Sequence, residues 1–515
     1  MSSEDVVVAG APLELGPLMH TGGELMTRAE RRQLGRERRK VAQRSSHSGW
    51  VAPETRRDPF AVLEDQNRRR FPDLVPLRWG RMVASPFTFY RGAAAVMAAD
   101  LAGTPSSGLD VQACGDAHLQ NFGLFASPER NLLFDLNDFD ETLPGPWEWD
   151  VKRLAASVEL AARDNGFSRE QAEAATLESV ASYRSWMAVL ADQTQLDVWY
   201  AKVDVDEILP MLPTEAQKGS AKLVERARRH NTLQALDKLT HVVDGRRVIV
   251  DNPPLVEHLP DVTTYHAVHT VLDRYKETLQ EDKRLLLERF EIIDIARKVV
   301  GVGSVGTHCW IALCTADRED DDPLFLQIKE ANRSVLEPWI GASKYSTHGE
   351  RVVVGQRLLQ AASDMFLGWT KFRERHYYIR QLRDMKGSAV VSSMTPAVLS
   401  SYAGVCGRTL ARAHARTGDP IAISAYLGEG DTFDKAIASF SKDYADQTER
   451  DHAVLRAAID SGKIQAIEGR SRVALTRVSR LQVGENCCSC TSPGEQCALD
   501  RSGIAVVSAD VSSCS

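Results

Sequence analysis

Between Gln112 and Ala156 the chain reads QACGDAHLQNFGLFASPERNLLFDLNDFDETLPGPWEWDVKRLAA. This stretch sets Asp116, His118, Asn121, Asp135, Asn137, Asp138, Asp140 and Glu141 among Leu119, Phe122, Leu124, Leu132, Leu133, Phe134 and Leu136. Carboxylates threaded through apolar residues are not a solvated face, because burying them is costly unless a cation or ligand balances the charge. Hard oxygen donors of this kind suit Mg²⁺, which takes one or two carboxylates and fills its other positions with water and substrate phosphate. The same residues allow a second chemistry, in which Asp116, His118, Asp135 and Asp138 bind one or two metals that activate water for hydrolysis.

A second stretch, Val299 to Ala331, reads VVGVGSVGTHCWIALCTADREDDDPLFLQIKEA. Gly301, Gly303 and Gly306 spell G-x-G-x-x-G, but a dinucleotide fold requires a helix directly after the glycines. Here the strand-like HCWIALC follows, then an acidic turn and a second strand that reaches Lys329. The dinucleotide reading is therefore disfavoured.

Several elements must position these groups. Asn131 to Phe139 reads as a short, mostly buried strand between the SPER and LPGP turns. Leu63 to Arg70 and Phe89 to Ala102 are helical, the second ended by Gly103 and Pro105. Val151 to Asn165 and Ser168 to Asp192 carry helical spacing, and residues 193–290 read as mainly helical. HGERVVVGQRLLQAASD is a helix beginning near Glu350, HYYIRQLRDMKGS starts as a strand, and Pro396 to Arg416 is a helix. Arg78, Arg81 and Arg91 lie in apolar surroundings, so each needs an acidic or phosphate partner if buried. Both an ion pair with the acidic strand at 135–141 and substrate binding fit them.

The chain has 515 residues, 43% of them hydrophobic, and a net charge of -7. That length supports two lobes, and the acidic balance gives no reason to expect nucleic acid or an anionic membrane as partner. No apolar run approaches the ~18 residues of a membrane span and no signal core opens the chain, so a cytoplasmic protein is expected. Of nine cysteines, Cys114, Cys309, Cys314 and Cys406 read as buried thiols. Cys487, Cys488, Cys490 and Cys497 lack the paired spacing of structural zinc sites and read as part of a disordered tail over 471–515. Residues 1–47 read as a disordered basic arm, because TRAERRQLGRERRKVAQR sets eight basic residues among two acidic ones.

GDAHLQN resembles the catalytic loop H-G-D-x-H-x-x-N of the aminoglycoside phosphotransferase and choline kinase group, within the protein-kinase-like superfamily. Gly115, Asp116, His118 and Asn121 fall on that pattern, with Cys114 where the leading His would stand. NDFDE and PGPWEWDVKRLA repeat the group's downstream order through Asp138, Phe139, Asp140, Gly145, Pro146 and Asp150. The resemblance implies Asp116 and His118 as catalytic residues, Asp116 being the base at the acceptor hydroxyl. It implies Asn121 and Asp138 as Mg²⁺ ligands, with Asp135 a rival. LQIK resembles the V-A-I-K strand of kinases, which implies that Gly301, Gly303, Gly306 and Lys329 bind the phosphates of ATP. Glu350 would orient Lys329, with Gln356 as the alternative.

The implied fold is α+β and two-lobed, protein-kinase-like and circularly permuted, since Asp116 precedes the glycines. It divides into a mainly helical lobe over 48–290, a small antiparallel-sheet lobe over 291–388 and a helical completion over 389–470. RWGRM, SPFTFYRGAA, GDAHLQNFG, FDLNDFDE, RQLRDMKGS and YADQTERDH together resemble an uncharacterised bacterial family, domain of unknown function 2252, over about Asp58 to Ile467. The implied activity is ATP- and Mg²⁺-dependent phosphoryl transfer to a small-molecule or protein hydroxyl. Nucleotidyl transfer and nucleotide binding without turnover use the same residues.

Overall fold

The acidic strand forms where the apolar run predicts it, and its pairing explains the architecture around it. Leu132–Leu136 lies antiparallel to Phe122–Ala126, and both strands are buried along their whole length, as near-continuous apolar runs require. A second ribbon pairs Asp110–Ala113 with Leu143–Pro146. The chain passes from the second ribbon to the first through residues 114–121 and returns through 137–142. Two loops that join the same two ribbons must lie side by side, which is how Asp116 and Asp138 come together.

The computed structural model describes residues 25–468, apart from 213, 230–231, 259–261, 317–321 and 383–384. The architecture is mixed α+β. The largest sheet has six antiparallel strands in the order Gly368–Phe372, Arg375–Gln381, Pro323–Ala331, Cys309–Thr315, Glu291–Lys298 and Val256–Glu257. Period-2 alternation gives this sheet two apolar faces. Trp310, Ala312 and Cys314 join one cluster with Leu326 and Ile328, whereas Ile311 and Leu313 join another with Phe325. Lys329 has the parity of Phe325, and it sits directly across from Tyr378 on the neighbouring strand. The helix His348–Leu359 follows the Lys329 strand.

The helical part is built on Trp147–Asp164, Arg169–Ala191, Pro396–Ala415 and Thr432–Asp460. Trp147–Asp164 starts directly after the LPGP ribbon, and nearly its entire length is buried, Glu148, Asp150, Lys152 and Arg153 included. Buried charges on one helix demand partners, and two of them serve the loops described below. No helix among the described residues is long and apolar enough to cross a membrane. Cys114, Cys309, Cys314 and Cys406 are buried free thiols.

Three expectations are corrected. The basic arm is not disordered over Arg28–Val41, which is a helix with a Thr27/Glu30 capping box. Arginines of the arm find acceptors at both ends of the helix Pro420–Leu427, the N-cap Asp419 and the last carbonyls. Arg39 donates to the carbonyls of Ala425 and Tyr426, Arg44 donates to that of Leu427, and Arg31 pairs with Asp419 at 2.5 Å. Carbonyls at a helix C-terminus have no intrahelical donor and carry partial negative charge, so they attract cations. The 193–290 region is not wholly helical, since Thr240–Val243 and Arg246–Ile249 form a hairpin and Val256–Glu257 adds to the large sheet. The helix expected over Phe89 to Ala102 is two, Pro86–Gly92 and Ala94–Leu101. The cysteine-containing tail and residues 1–24 lie outside the described residues.

Candidate functional site

Side chains from three directions fix the loop after Ala113. Gly115 has φ +80°, and a Cβ there would stand 2.6 Å from the Glu141 carbonyl oxygen, so only glycine lets the two loops touch. Asp150 accepts from the Cys114 amide on Oδ2 at 2.6 Å and from the Gly115 amide on Oδ1 at 2.9 Å, and His414 Nε2 lies 3.1 Å from Oδ2. Asn121 Nδ2 donates to the Asp116 carbonyl at 2.8 Å and to the Asp138 carbonyl at 3.2 Å, stitching one loop to the other. Cys114, at the leading-His position of the pattern, adds a weaker stitch from Sγ to the Asp138 carbonyl at 3.4 Å.

The charges are paired in two sets. Arg153 grips Asp116 Oδ1 through Nε at 2.9 Å and a terminal nitrogen at 2.7 Å. Burial nevertheless pushes the Asp116 carboxyl up to about 6, against the pull of Arg153. His118 lies 3.9 Å from Asp116 and is buried. Burial and the nearby Arg91 and Arg153 hold it well below its usual range, so it is neutral. In the second set Lys329, 3% exposed, lies 2.9 Å from Asp140 and 3.6 Å from Asp138. The Tyr378 hydroxyl donates to the other Asp140 oxygen at 2.6 Å.

Asp138 and Asp140 shift in opposite directions. Burial works against ionisation of Asp140, but Lys329, Tyr378 and Arg380 outweigh it and hold the carboxyl low. Burial and the adjacent Asp140 push Asp138 up. Asp138 is 39% exposed, leaving it the open carboxylate of the pair.

The glycine loop joins the strands Glu291–Lys298 and Cys309–Thr315 and meets the same place. Gly301 and Gly306 have φ +62° and +83°, conformations that favour glycine. Ser304 Oγ donates to Asp140 at 3.4 Å. The loop's carbonyls are held from the N-terminal side: Arg81 donates to Gly301, Arg70 to Val305, and the Phe71 amide to Gly306. A cavity of about 470 Å³ results, lined by Asp116, His118, Asn121, Asp138 and Asp140 on one side and by Gly301, Gly303 and Ser304 on the other.

Not every candidate reaches it. Asp135 faces the opposite way along its strand: it pairs with Arg412 at 2.5 Å and accepts from the Ala361 amide. As a metal ligand beside Asp138 it is therefore corrected to a structural acid of the core. Glu350 does not orient Lys329. It lies in the first turn of its helix, with the Ser346 hydroxyl donating to it, and Gln356 donates to Gln360. The helix contributes Arg351 instead, which donates to the Thr142, Asp140 and Asn332 carbonyls. Arg78, Arg81 and Arg91 make no ion pair with residues 135–141. The terminal nitrogens of Arg78 donate to carbonyl and amide oxygens of Leu63, Asn67, Gln66 and Gly92, and its buried Nε has no partner. Among the described residues no group of three or more His, Cys, Asp or Glu side chains is arranged to hold a metal.

Arg153, Tyr378 and Arg351 escaped the sequence reading. Arg153 had a usable signal, since Asp150 and Arg153 are one helical turn apart and must share the face turned to the loops. Tyr378 and Arg351 had none, because cross-strand register and helix docking are tertiary facts.

The chain belongs to the family of uncharacterized proteins conserved in bacteria designated DUF2252, which matches residues 70–458. It matches no curated protein and no solved structure.

Proposed function

We propose that this protein is an ATP- and Mg²⁺-dependent phosphotransferase acting on a hydroxyl acceptor, with a kinase-like, circularly permuted arrangement of its parts. One observation carries the reading. The glycine loop and the Asp116–Asn121 loop, far apart in sequence, line one cavity, and Lys329 lies behind its wall, 2.9 Å from the lining residue Asp140. Supporting it, strand, glycine loop, strand, lysine strand and helix follow one another in the order such a small lobe requires.

The donor set fits Mg²⁺. Asp138 is an open carboxylate pushed up by burial and by its neighbour Asp140, a charge conflict that a bound cation would relieve, and the Asn121 side-chain amide oxygen is a second hard donor. When bound, Mg²⁺ would neutralise charge on the donor's phosphate oxygens. Asp116 would accept the acceptor's hydroxyl proton while the new O–P bond forms and the bond to the ADP oxygen breaks. Glycine-loop amides and Lys329 would hold the phosphates, and catalysis would be mainly positioning and charge stabilisation. The metal-hydrolase alternative loses support, because Asp135 is committed to Arg412.

A thermal-shift titration with ATP and Mg²⁺ tests the reading on wild type, Lys329→Met and Asp138→Asn. The expected result is stabilisation that needs Mg²⁺ and is lost in both variants. No shift in the folded wild type overturns the proposal. A shift without phosphorylated product or ADP would mark a nucleotide-binding protein without turnover.

A further inference from the structure

The cavity's charges are almost all accounted for. Asp116 is held by Arg153, and Asp138 and Asp140 by Lys329. Glu330 pairs with Arg375, Asp65 with Arg57, and Arg333 with Glu337. Glu141 accepts from the Val335 amide. Arg70 donates to the Val305 carbonyl and lies in the field of Glu141, Glu330 and Asp140. Arg69 is exposed to water.

Arg91 lines the cavity in the field of Asp116. Like Arg70 it has no carboxylate within ion-pair distance, but whereas Arg70 donates to the Val305 carbonyl, the Arg91 side chain makes neither an ion pair nor a hydrogen bond among the described residues. Its guanidinium lies over the Phe87 ring at 6.0 Å, and its Nε is buried without a hydrogen-bond partner. His118, on the same wall, is 8% exposed, and its Nδ1 is likewise buried and unpartnered. A guanidinium with donors left over beside a neutral imidazole is a recognition surface for an oxyanion. Asp116 acts on Arg91 only through its field: it is gripped by Arg153 through Oδ1 and makes no ion pair with Arg91.

We propose that Arg91 and His118 form an oxyanion subsite on the acceptor side of the cavity, so that the hydroxyl compound taken here also carries a phosphate or carboxylate group. The assignment rests on the phosphotransferase reading for the word acceptor, but the oxyanion subsite stands on its own geometry. Burial presses the Arg91 guanidinium down to about 10, a cost that a bound anion would recover.

Titration calorimetry with inorganic phosphate, and separately with acetate, tests it against chloride at equal ionic strength. Each titration is run on the free protein and on protein preloaded with Mg²⁺ and a non-hydrolysable ATP analogue. Wild type should bind at least one of the two anions in both states. Arg91→Gln should weaken that binding tenfold or more, the scale of a lost charge-assisted hydrogen bond, while Arg91→Lys retains part of it and the nucleotide response is unchanged. Binding of neither anion, or equal binding by wild type and Arg91→Gln, overturns the subsite. Anion binding abolished by the preloaded nucleotide overturns the acceptor-side assignment and gives Arg91 to the transferred phosphate. A protein that binds the anion but no nucleotide keeps the subsite and loses the phosphotransferase reading.

Discussion

Replacing Lys329 by Met removes a cation and keeps the length and bulk of the chain. Lys329 is 3% exposed and faces two carboxylates at 2.9 and 3.6 Å, with the Tyr378 ring 5.2 Å from its ammonium. Removing one partner of a buried pair costs about 3–5 kcal/mol. Asp138 and Asp140 are 39% and 26% exposed, so water screens what remains and the lower end, about 3 kcal/mol, applies. The loss must depend on pH. Asp140 is held low mainly by Lys329; without it, burial and the mutual repulsion of the two carboxylates raise both. A carboxyl whose folded pKa lies above its unfolded value loses stability as pH rises through the folded pKa. Urea unfolding at pH 8 should therefore give the full loss, and at pH 5 a smaller one. Added Mg²⁺ should restore part of the loss at pH 8. An equal loss at both pH values would refute the reasoning, since a packing defect has no proton dependence.

Other outcomes follow from the same geometry. On the proposed phosphotransferase reading, Asp116→Asn should lower turnover by about 10²–10⁴-fold, measured as ATP hydrolysis, while nucleotide-dependent stabilisation persists. Turnover by wild type should rise with pH through about 6, where Asp116 ionises, and Arg153→Met should move that limb upward because the cation that favours the carboxylate is gone. Gly306→Ala should cost about 1–3 kcal/mol, read by thermal denaturation, since φ is +83° and the new Cβ would stand 3.1 Å from the Arg70 side chain. Gly35→Val should detach the N-terminal helix, because even a Cβ there would stand 2.1 Å from the Ala422 carbonyl oxygen. Limited proteolysis should then cut within 28–41, and an uncut variant would refute the docking.

Much of the site was legible in the linear chain. Asp116, Asn121 and Asp138 fall on a motif whose spacing is local, and the strand between them is set by its own apolar run. The turns at SPER and LPGP bring it back within a few residues, so short-range chemistry sufficed. Gly301, Gly306 and Lys329 were legible through the resemblance of the glycine loop and LQIK to the kinase small lobe. What each charge is paired with was not. Asp135 and Asp138 look equivalent in sequence, yet one lies inside a strand that points it at Arg412 and the other lies past the strand's end, facing a cavity. Glu350 and Arg351 are adjacent, and only the docking of their helix decided that the arginine, not the carboxylate, meets the 140–142 loop. The basic run became the packed helix Arg28–Val41 and the turn after it because carbonyls at the end of Pro420–Leu427 needed donors. Spacing along the chain fixes which residues share a face. Which partner that face meets is decided by contacts between segments far apart in sequence, and the cost of burying an unpaired charge selects among them.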